Sequence, residues 1–514
     1  MRIPIALVPA LVLAVMVSAA GAGAQAPAIA VDRARAGIPL GTSMTINVAG
    51  TTGPLTVQAS FDGVDTSYDP LTHRLLVTGR APGNGTLTLT DRNGNTATIA
   101  VLVGLPAGVI PTDVDVALAG TVSAPFVAAR IRYAIEQALV RQPGTGLDVH
   151  GITIPPTMAP GDRLEAQAGV TLDGHGTYVD TSARTAVHVH VDALPPLDPA
   201  VLYYSDDPEY VGPQVNGTLV HGRLDAQTAA RIFAYHVAAG AARRMWLLLG
   251  AASAARVQVL GTISGASSAF TYIGQQSSAR FLAAHASGES AIVSVGAGAP
   301  YAIGFGLMQP GDLIEAIEDL RVVSGGPVDF AVVTSPADAP LPPLDATEIP
   351  GDSHGRRGAF GLSGVAPIDL TYAAGSPDPA PVSVGDGALP NIRAGQRPLG
   401  GDYGVVRPFT LHLTNPAPAP VTVFLYELTS GSGGATATLW FAGDPAATLV
   451  PCVDDSVTPH LIKAFTLAPG AARTVSGAFM TDGSSSYPIR LGLTATPPAA
   501  VSAGACGATP PPAP

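Results

Sequence analysis

Lysine is almost missing from this chain. Lys463 is the single one, so arginine supplies nearly all of the 26 basic residues, and the net charge is −12 at pH 7. No run of basic side chains exists to neutralise phosphates, which excludes a nucleic-acid partner and disfavours anionic membrane surfaces. Cysteine is nearly as scarce: Cys452 and Cys506 are the only two. Two cysteines cannot form a dense disulfide framework, and no CxxC pair exists for metal or redox work. Charged residues make up 12% of the chain and aromatics 5%. The usual catalytic signatures are also absent: no GxSxG elbow, no HExxH, no P-loop, and no SxxK around the lone lysine. Motif search does not reach a site assembled from separate loops.

What the chain has in quantity is Ala, Val and Leu, punctuated by 59 Gly and 48 Pro. Frequent breakers between short apolar runs favour many short strands over long helices. At 514 residues the chain exceeds one hydrophobic core, and its length suggests about three to four domains. Arg2, the apolar run 3–17 and the small residues up to Ala26 have the layout of a secretory signal peptide. Pro27 disfavours a cut after Ala26, so residues 1–24 are the expected leader. In an exported protein Cys452 and Cys506 are expected to pair as a structural disulfide, worth about 4 kcal/mol for a loop of that length.

Residues 409–441 carry the clearest pattern. Phe409, Leu411 and Leu413 alternate with Thr410, His412 and Thr414, the breaker run 415–420 follows, and Val421, Val423 and Leu425 resume the alternation. This reads as a meander with one apolar face, which needs a second sheet to cover it: a β-sandwich. Residues 27–104 form another candidate sandwich, with hairpin-type turns at Asn84-Gly85 and at 91–95. Residues 105–195 read as a small α+β module. Its helix is capped by Ser123 and carries Val127, Ile131 and Ile135 on one stripe. Residues 197–334 are a third module, in which 228–242 and 312–323 suit helix or strand. The spacing of Leu249, Val257 and Val259 repeats that of Leu413, Val421 and Val423, and this favours strands. A proline-rich linker at 335–353 leads to a final sandwich at 354–508.

The stretch NGTLTLTDRNGNTATIAVLV resembles the last two strands of bacterial immunoglobulin-like domains. The segments LYYSDDPEYV, GDSHGRRGAF, GDYGVVRPFTLHLTNP and PIRLGLTAT are similar to a group of uncharacterised secreted bacterial proteins with tandem immunoglobulin-like β-sandwich modules. The resemblance implies an exported, mostly β, multi-sandwich architecture and transfers no catalytic residue.

Three constellations could carry chemistry. His188 and His190, at i and i+2 on a strand, point to one side, and His175 is a candidate third ligand for copper or zinc. The bland reading is that both histidines decorate a solvent face opposite Val187, Val189 and Val191. Asp206, Asp207 and Glu209 lie beside Tyr204 in a loop suited to calcium or a sugar, or to an ordinary turn. His354, Arg356 and Arg357 of HGRRG, with Asp402 and Tyr403 of GDYG, would form a ligand cleft if the fold joins them; otherwise they are surface charges. Asp312, Glu315, Glu318 and Asp319 read as a dispersed polar face.

The sequence therefore points to tandem immunoglobulin-like sandwiches with one α+β module. The expected role is non-enzymatic: a structural, adhesive or ligand-binding protein, secreted to the envelope or beyond, meeting envelope polysaccharide or another surface protein. Its rivals are a metal-binding protein or metalloenzyme using the histidines, and a glycan-binding accessory protein. No cofactor is required by the sequence, with copper, zinc or calcium as the candidate ions.

Overall fold

The computed structural model describes residues 29–499 apart from 227, 346, 353–355, 394–395, 430–433 and 454–455. The chain is mostly β, with many sheets and, among the described residues, two helices. It divides into two compact units. Among the described residues, one contains 29–112, 135–152 and 167–186; the other contains 113–134, 153–166 and those from 187 to 499.

In the first unit, residues 29–104 make a sandwich of two four-stranded sheets. One runs Ala30–Val31, Ser43–Ala49, Arg74–Gly79, Val64–Asp69; the other runs Arg35–Pro39, Thr96–Gly104, Gly83–Thr90, Thr56–Ala59. Period-two alternation sends Ile46, Leu75, Val77, Leu87, Leu89 and Ile99 between the sheets, all fully buried. The 91–95 turn forms as expected: Asp91 Oδ1 accepts from the backbone N–H of Asn93 (2.9 Å) and Asn95 (3.0 Å). Asn84-Gly85 is not a turn. Both lie inside strand Gly83–Thr90, opposite Leu102 and Val101, and glycine is required because Phe61 and Ser60 fill the space its Cβ would take.

In the second unit, one sheet contains, in order, Asp113–Ala119, Ser290–Val295, Ala255–Ile263, Leu313–Gly325, Ala229–Ala238, Val201–Ser205 and Arg357–Gly361. A four-stranded sheet, Gly217–Leu224, Val328–Pro336, Arg243–Ala251 and Tyr301–Met308, shares a core with it built on Leu219, Ile232, Leu247, Leu249, Val257, Ile314 and Phe330. Both ambiguous stretches are strands. Ala229–Ala238 is buried along nearly its whole length because both faces are covered: Ile232 and Ala234 face the sandwich core, Phe233 and Tyr235 face the opposite way. A strand buried on both sides loses its polar alternation, which is why it can be mistaken for a helix.

That second face is covered by a helix the sequence reading missed, Phe270–Ser287, which buries Ile273, Gly274, Ser277, Ser278, Phe281 and Leu282. Half of its buried stripe is glycine and serine, so it carries little hydrophobic periodicity. The expected helix is present at Ala124–Ala138 with Val127, Ile131 and Ile135 buried. Ser123, read as its cap, gives its N–H and hydroxyl to Glu289 Oε2 at 2.7 and 2.8 Å. The proline-rich stretch docks back: Thr218 N–H donates to Thr347 O, Ile349 N–H donates to Thr218 O, and Ile349 joins the sandwich core.

The last sandwich pairs Ile368–Ala373, Val406–Thr414, Ala472–Thr481, Ala435–Phe441 and Thr448–Val453 in one sheet with Val382–Val384, Ile489–Thr494, Val421–Thr429 and His460–Leu467 in the other. The expected meander is therefore corrected. Val406–Thr414, Val421–Thr429 and Ala435–Phe441 alternate between the two sheets, and their apolar faces meet at the mid-plane around Phe409, Leu425 and Phe441. Buried Asn415 anchors the crossing by donating Nδ2–H to the carbonyls of Ala419 (2.9 Å), Leu467 (3.1 Å) and Ala468 (3.0 Å). The repeated spacing marks the same device. Arg243–Ala251 and Ala255–Ile263 also lie in different sheets.

Candidate functional site

Strand Val201–Ser205 ends in the loop Asp206-Asp207-Pro208-Glu209, and the strand's alternation sets where each side chain goes. Tyr204 stacks on Phe233 with ring centroids 4.9 Å apart. Ser205, on the other face, is fully buried: its hydroxyl donates to His236 Nε2 at 2.9 Å, while His236 Nδ1–H donates to the Pro208 carbonyl at 2.8 Å. Burial pushes His236 down to about 4, so it is neutral at pH 7. This resembles a nucleophile and its base, but neither group is exposed to solvent. It pins the loop.

The two neighbouring aspartates diverge. Asp207 accepts the Asp352 backbone N–H, away from the cavity. Asp206 is buried and turns to Arg356, whose Nη1 lies 3.3 Å from Oδ2, and to the Tyr204 hydroxyl at 3.5 Å. Arg356 also lies over the Tyr403 ring at 5.8 Å. Tyr204, Asp206, Glu209, Arg356 and Tyr403 thereby meet around one cavity of about 350 Å³, closed by Tyr235 and residues 483–487. The Tyr403 hydroxyl donates to Ser485 O, Tyr235 bonds the Ser484 hydroxyl, and Tyr487 Oη donates to Thr436 O at 2.7 Å. Burial raises Tyr204, Asp206 and Tyr403 above their ordinary values, and Arg356 partly offsets this in each.

Of the two segments paired from sequence, Arg356 of HGRRG and Tyr403 of GDYG meet at this cavity, and the 203–210 loop joins them there. Arg356, not Arg357, is the arginine that faces the cavity. Arg357 points the other way and clamps the docked stretch, with Nη1 2.6 Å from Ile349 O and Nε 3.4 Å from Glu348. Asp402 pairs with Arg407 at 3.4 Å instead of lining the cavity. Gly404 fits where a Cβ would press Leu202 and Phe233 at 3.1 Å, and its carbonyl accepts from Arg231 Nη1 at 3.1 Å. His354 lies outside the described residues.

Sequence reasoning missed the deeper layer. Glu315, Glu318 and Asp319 are no dispersed polar face; all three are buried, and only Asp312 is partly open. Asp319 makes a two-pronged pair with Arg231, at 2.7 and 2.9 Å. Glu315 is without any hydrogen-bond partner at either oxygen, and so is the carboxylate of Glu427. Burial raises Glu315, pushes Glu427 to about 8 and Asp482 to about 6, the last held down by the nearby Thr438, Thr436 and Ser278 hydroxyls. Nothing in residues 482–487 signals this beyond a tyrosine after a serine run.

The histidine constellation takes another form. His188 bonds Glu165, and His190 Nε2 lies 3.7 Å from Asp192. His175, at φ 51°, lies 3.3 Å from Asp173 and lines an open cleft with Arg35, Asn84 and Asp180. Among the described residues no three His, Cys, Asp or Glu side chains are grouped to hold a metal ion. Cys452 lies in strand Thr448–Val453, and Cys506 and the leader lie outside the described residues.

No known family profile matches the chain, and no curated protein does. Among solved structures it is similar to a tri-modular GH5 endo-β-1,4-glucanase from Bacillus licheniformis complexed with cellotetraose (10% identity, 33% of this chain and 39% of that one, TM-score 0.15). It is also similar to domains 4–9 of the surface layer protein SbsC (12% identity, 36% and 33%, TM-score 0.14). A third is the fibronectin(III)-like modules of Clostridium thermocellum CbhA (14% identity, 32% and 94%, TM-score 0.17). The chain spans well under half of the first two. At these scores the likenesses carry no argument about function.

Proposed function

We propose that this is an exported, non-enzymatic binding protein of the bacterial envelope or extracellular space that holds the end of a saccharide in the Tyr204–Arg356–Tyr403 cavity. One observation carries the reading: three segments distant in sequence deliver two carboxylates, an arginine and tyrosine rings to one small, mostly polar cavity. Hydroxyl-rich ligands need such paired donors and acceptors beside an aromatic face. The sealed Ser205–His236 pair supports binding over nucleophilic chemistry, because its hydroxyl has no route to a substrate. The leader-like layout of residues 1–26 supports export. Among the described residues no helix is long and apolar enough to cross a membrane.

The test is co-sedimentation of the chain from Gln25 onward with isolated envelope polymers across a salt series. The expected result is saturable retention that survives salt, is competed by soluble saccharide, and falls about tenfold or more in Arg356→Ala, the loss of about 1.4 kcal/mol or more. No retention, or retention indifferent to Arg356, contradicts it.

A further inference from the structure

The cavity keeps a buried acceptor that no group of the protein satisfies. Among the described residues that line it, the one cationic side chain, Arg356, gives an Nη1–H to Asp206 Oδ2 and lies over Tyr403. The tyrosine hydroxyls of 235, 403 and 487 are committed to Ser484, Ser485 and Thr436. Asp206, only 1% exposed, keeps Oδ1 without any partner while lining the cavity. Glu209 adds a second carboxylate to the wall. Behind that wall stands Glu315, fully buried, with both oxygens unpartnered; a Cβ on Gly483 would lie 1.9 Å from its Oε2, so the carboxylate is aimed at the backbone that forms the cavity floor. Such orphaned acceptors in a poorly solvated interior are costly unless a donor arrives with the ligand.

We infer that the ligand presents an amino group to Asp206 Oδ1, which makes it an amino sugar with a free amine in preference to a neutral or N-acylated one. The inference rests on the saccharide reading and narrows it. An ammonium supplies three donors, one of which can meet the unpartnered Asp206 Oδ1, and a positive charge to a wall that also carries the Glu209 carboxylate. An N-acetyl group in its place offers one N–H and adds a carbonyl oxygen that would face carboxylates. Discrimination of this kind comes from leaving a buried polar group unpaired with the wrong ligand.

Titration calorimetry with a glucosamine tetrasaccharide and its fully N-acetylated counterpart tests this, run in about 0.3 M salt so that contacts with the acidic surface are screened. The free-amine sugar is expected to bind at least tenfold tighter, and Asp206→Asn is expected to erase that ratio. If Asp206→Asn does not fold, Glu209→Gln serves, with a reduced ratio expected. Equal affinity, or tighter binding of the N-acetylated sugar, overturns the amine inference and leaves the saccharide reading standing. A preference that persists unchanged in the variant overturns it as well, since the amine would then be read elsewhere. Binding of neither, together with no retention on envelope polymers, overturns both.

Discussion

Arg231 carries its charge into an interior where it is 2% exposed and Asp319 is fully buried, and the two are joined by a two-pronged fork. Removing one partner of such a pair leaves an uncompensated buried charge, so Arg231→Met should lower unfolding free energy by about 3–5 kcal/mol. The double variant Arg231→Met/Asp319→Leu should recover much of that loss. Denaturant unfolding of both checks it; equal losses in single and double variants would contradict it. Glu427 makes a pH prediction. Its folded value, pushed to about 8 by burial, lies above that of an ordinary glutamate. The folded state therefore holds the proton longer than the unfolded one, so the contribution is complete below about pH 4 and is lost as pH rises toward 8. Glu318, also raised to about 8, acts in the same direction, and His236, lowered to about 4, acts oppositely below about 6.5. Melting temperature should fall from pH 5 to pH 8, and Glu427→Gln should flatten that slope. An unchanged slope would show that Glu427 does not titrate there.

At the scale of elements, helix Phe270–Ser287 sets the position of the loop that closes the cavity. A Cβ on Gly274 would lie 2.1 Å from the Gly483 carbonyl oxygen, so this helix turn and the 483–487 loop touch backbone to backbone. Gln275 Nε2 ties the same turn to Val450 O at 2.8 Å. Alanine is a better helix former than glycine, by about 1 kcal/mol. Gly274→Ala should nonetheless destabilise, by about 1–3 kcal/mol as an overpacking change, and should weaken ligand binding at the displaced loop. Stabilisation on thermal melting would show that the contact is loose. Here lies the limit of what was legible. Val406–Thr414 could be read because one face is apolar and the other polar, but Ala229–Ala238 and Leu313–Gly325 are covered on both faces and read like helices. The serines and glycine in the buried stripe of Phe270–Ser287 left little apolar period to read. Which sheet each strand joins is not encoded in its alternation, so three strands that cross between sheets read as a meander.

For the molecule as a whole, the cavity was half legible. Tyrosines beside carboxylates in 203–210, arginines in HGRRG and the tyrosine of GDYG stood out as residue types, and the fold does unite them. Their facing was not legible: Arg356 and Arg357 are adjacent, and only Arg356, just before strand Arg357–Gly361, lines the cavity. The buried acids were misread because a carboxylate on a strand is ordinarily a surface feature. Hydrogen-exchange mass spectrometry of the whole chain, with and without soluble envelope saccharide, tests the central claim most directly. The account predicts protection on binding in three peptides, covering residues 201–211, 401–407 and 482–489, with the open cleft at 173–180 unchanged. Saturable binding with protection confined to that cleft or elsewhere, and none in the three peptides, would contradict it.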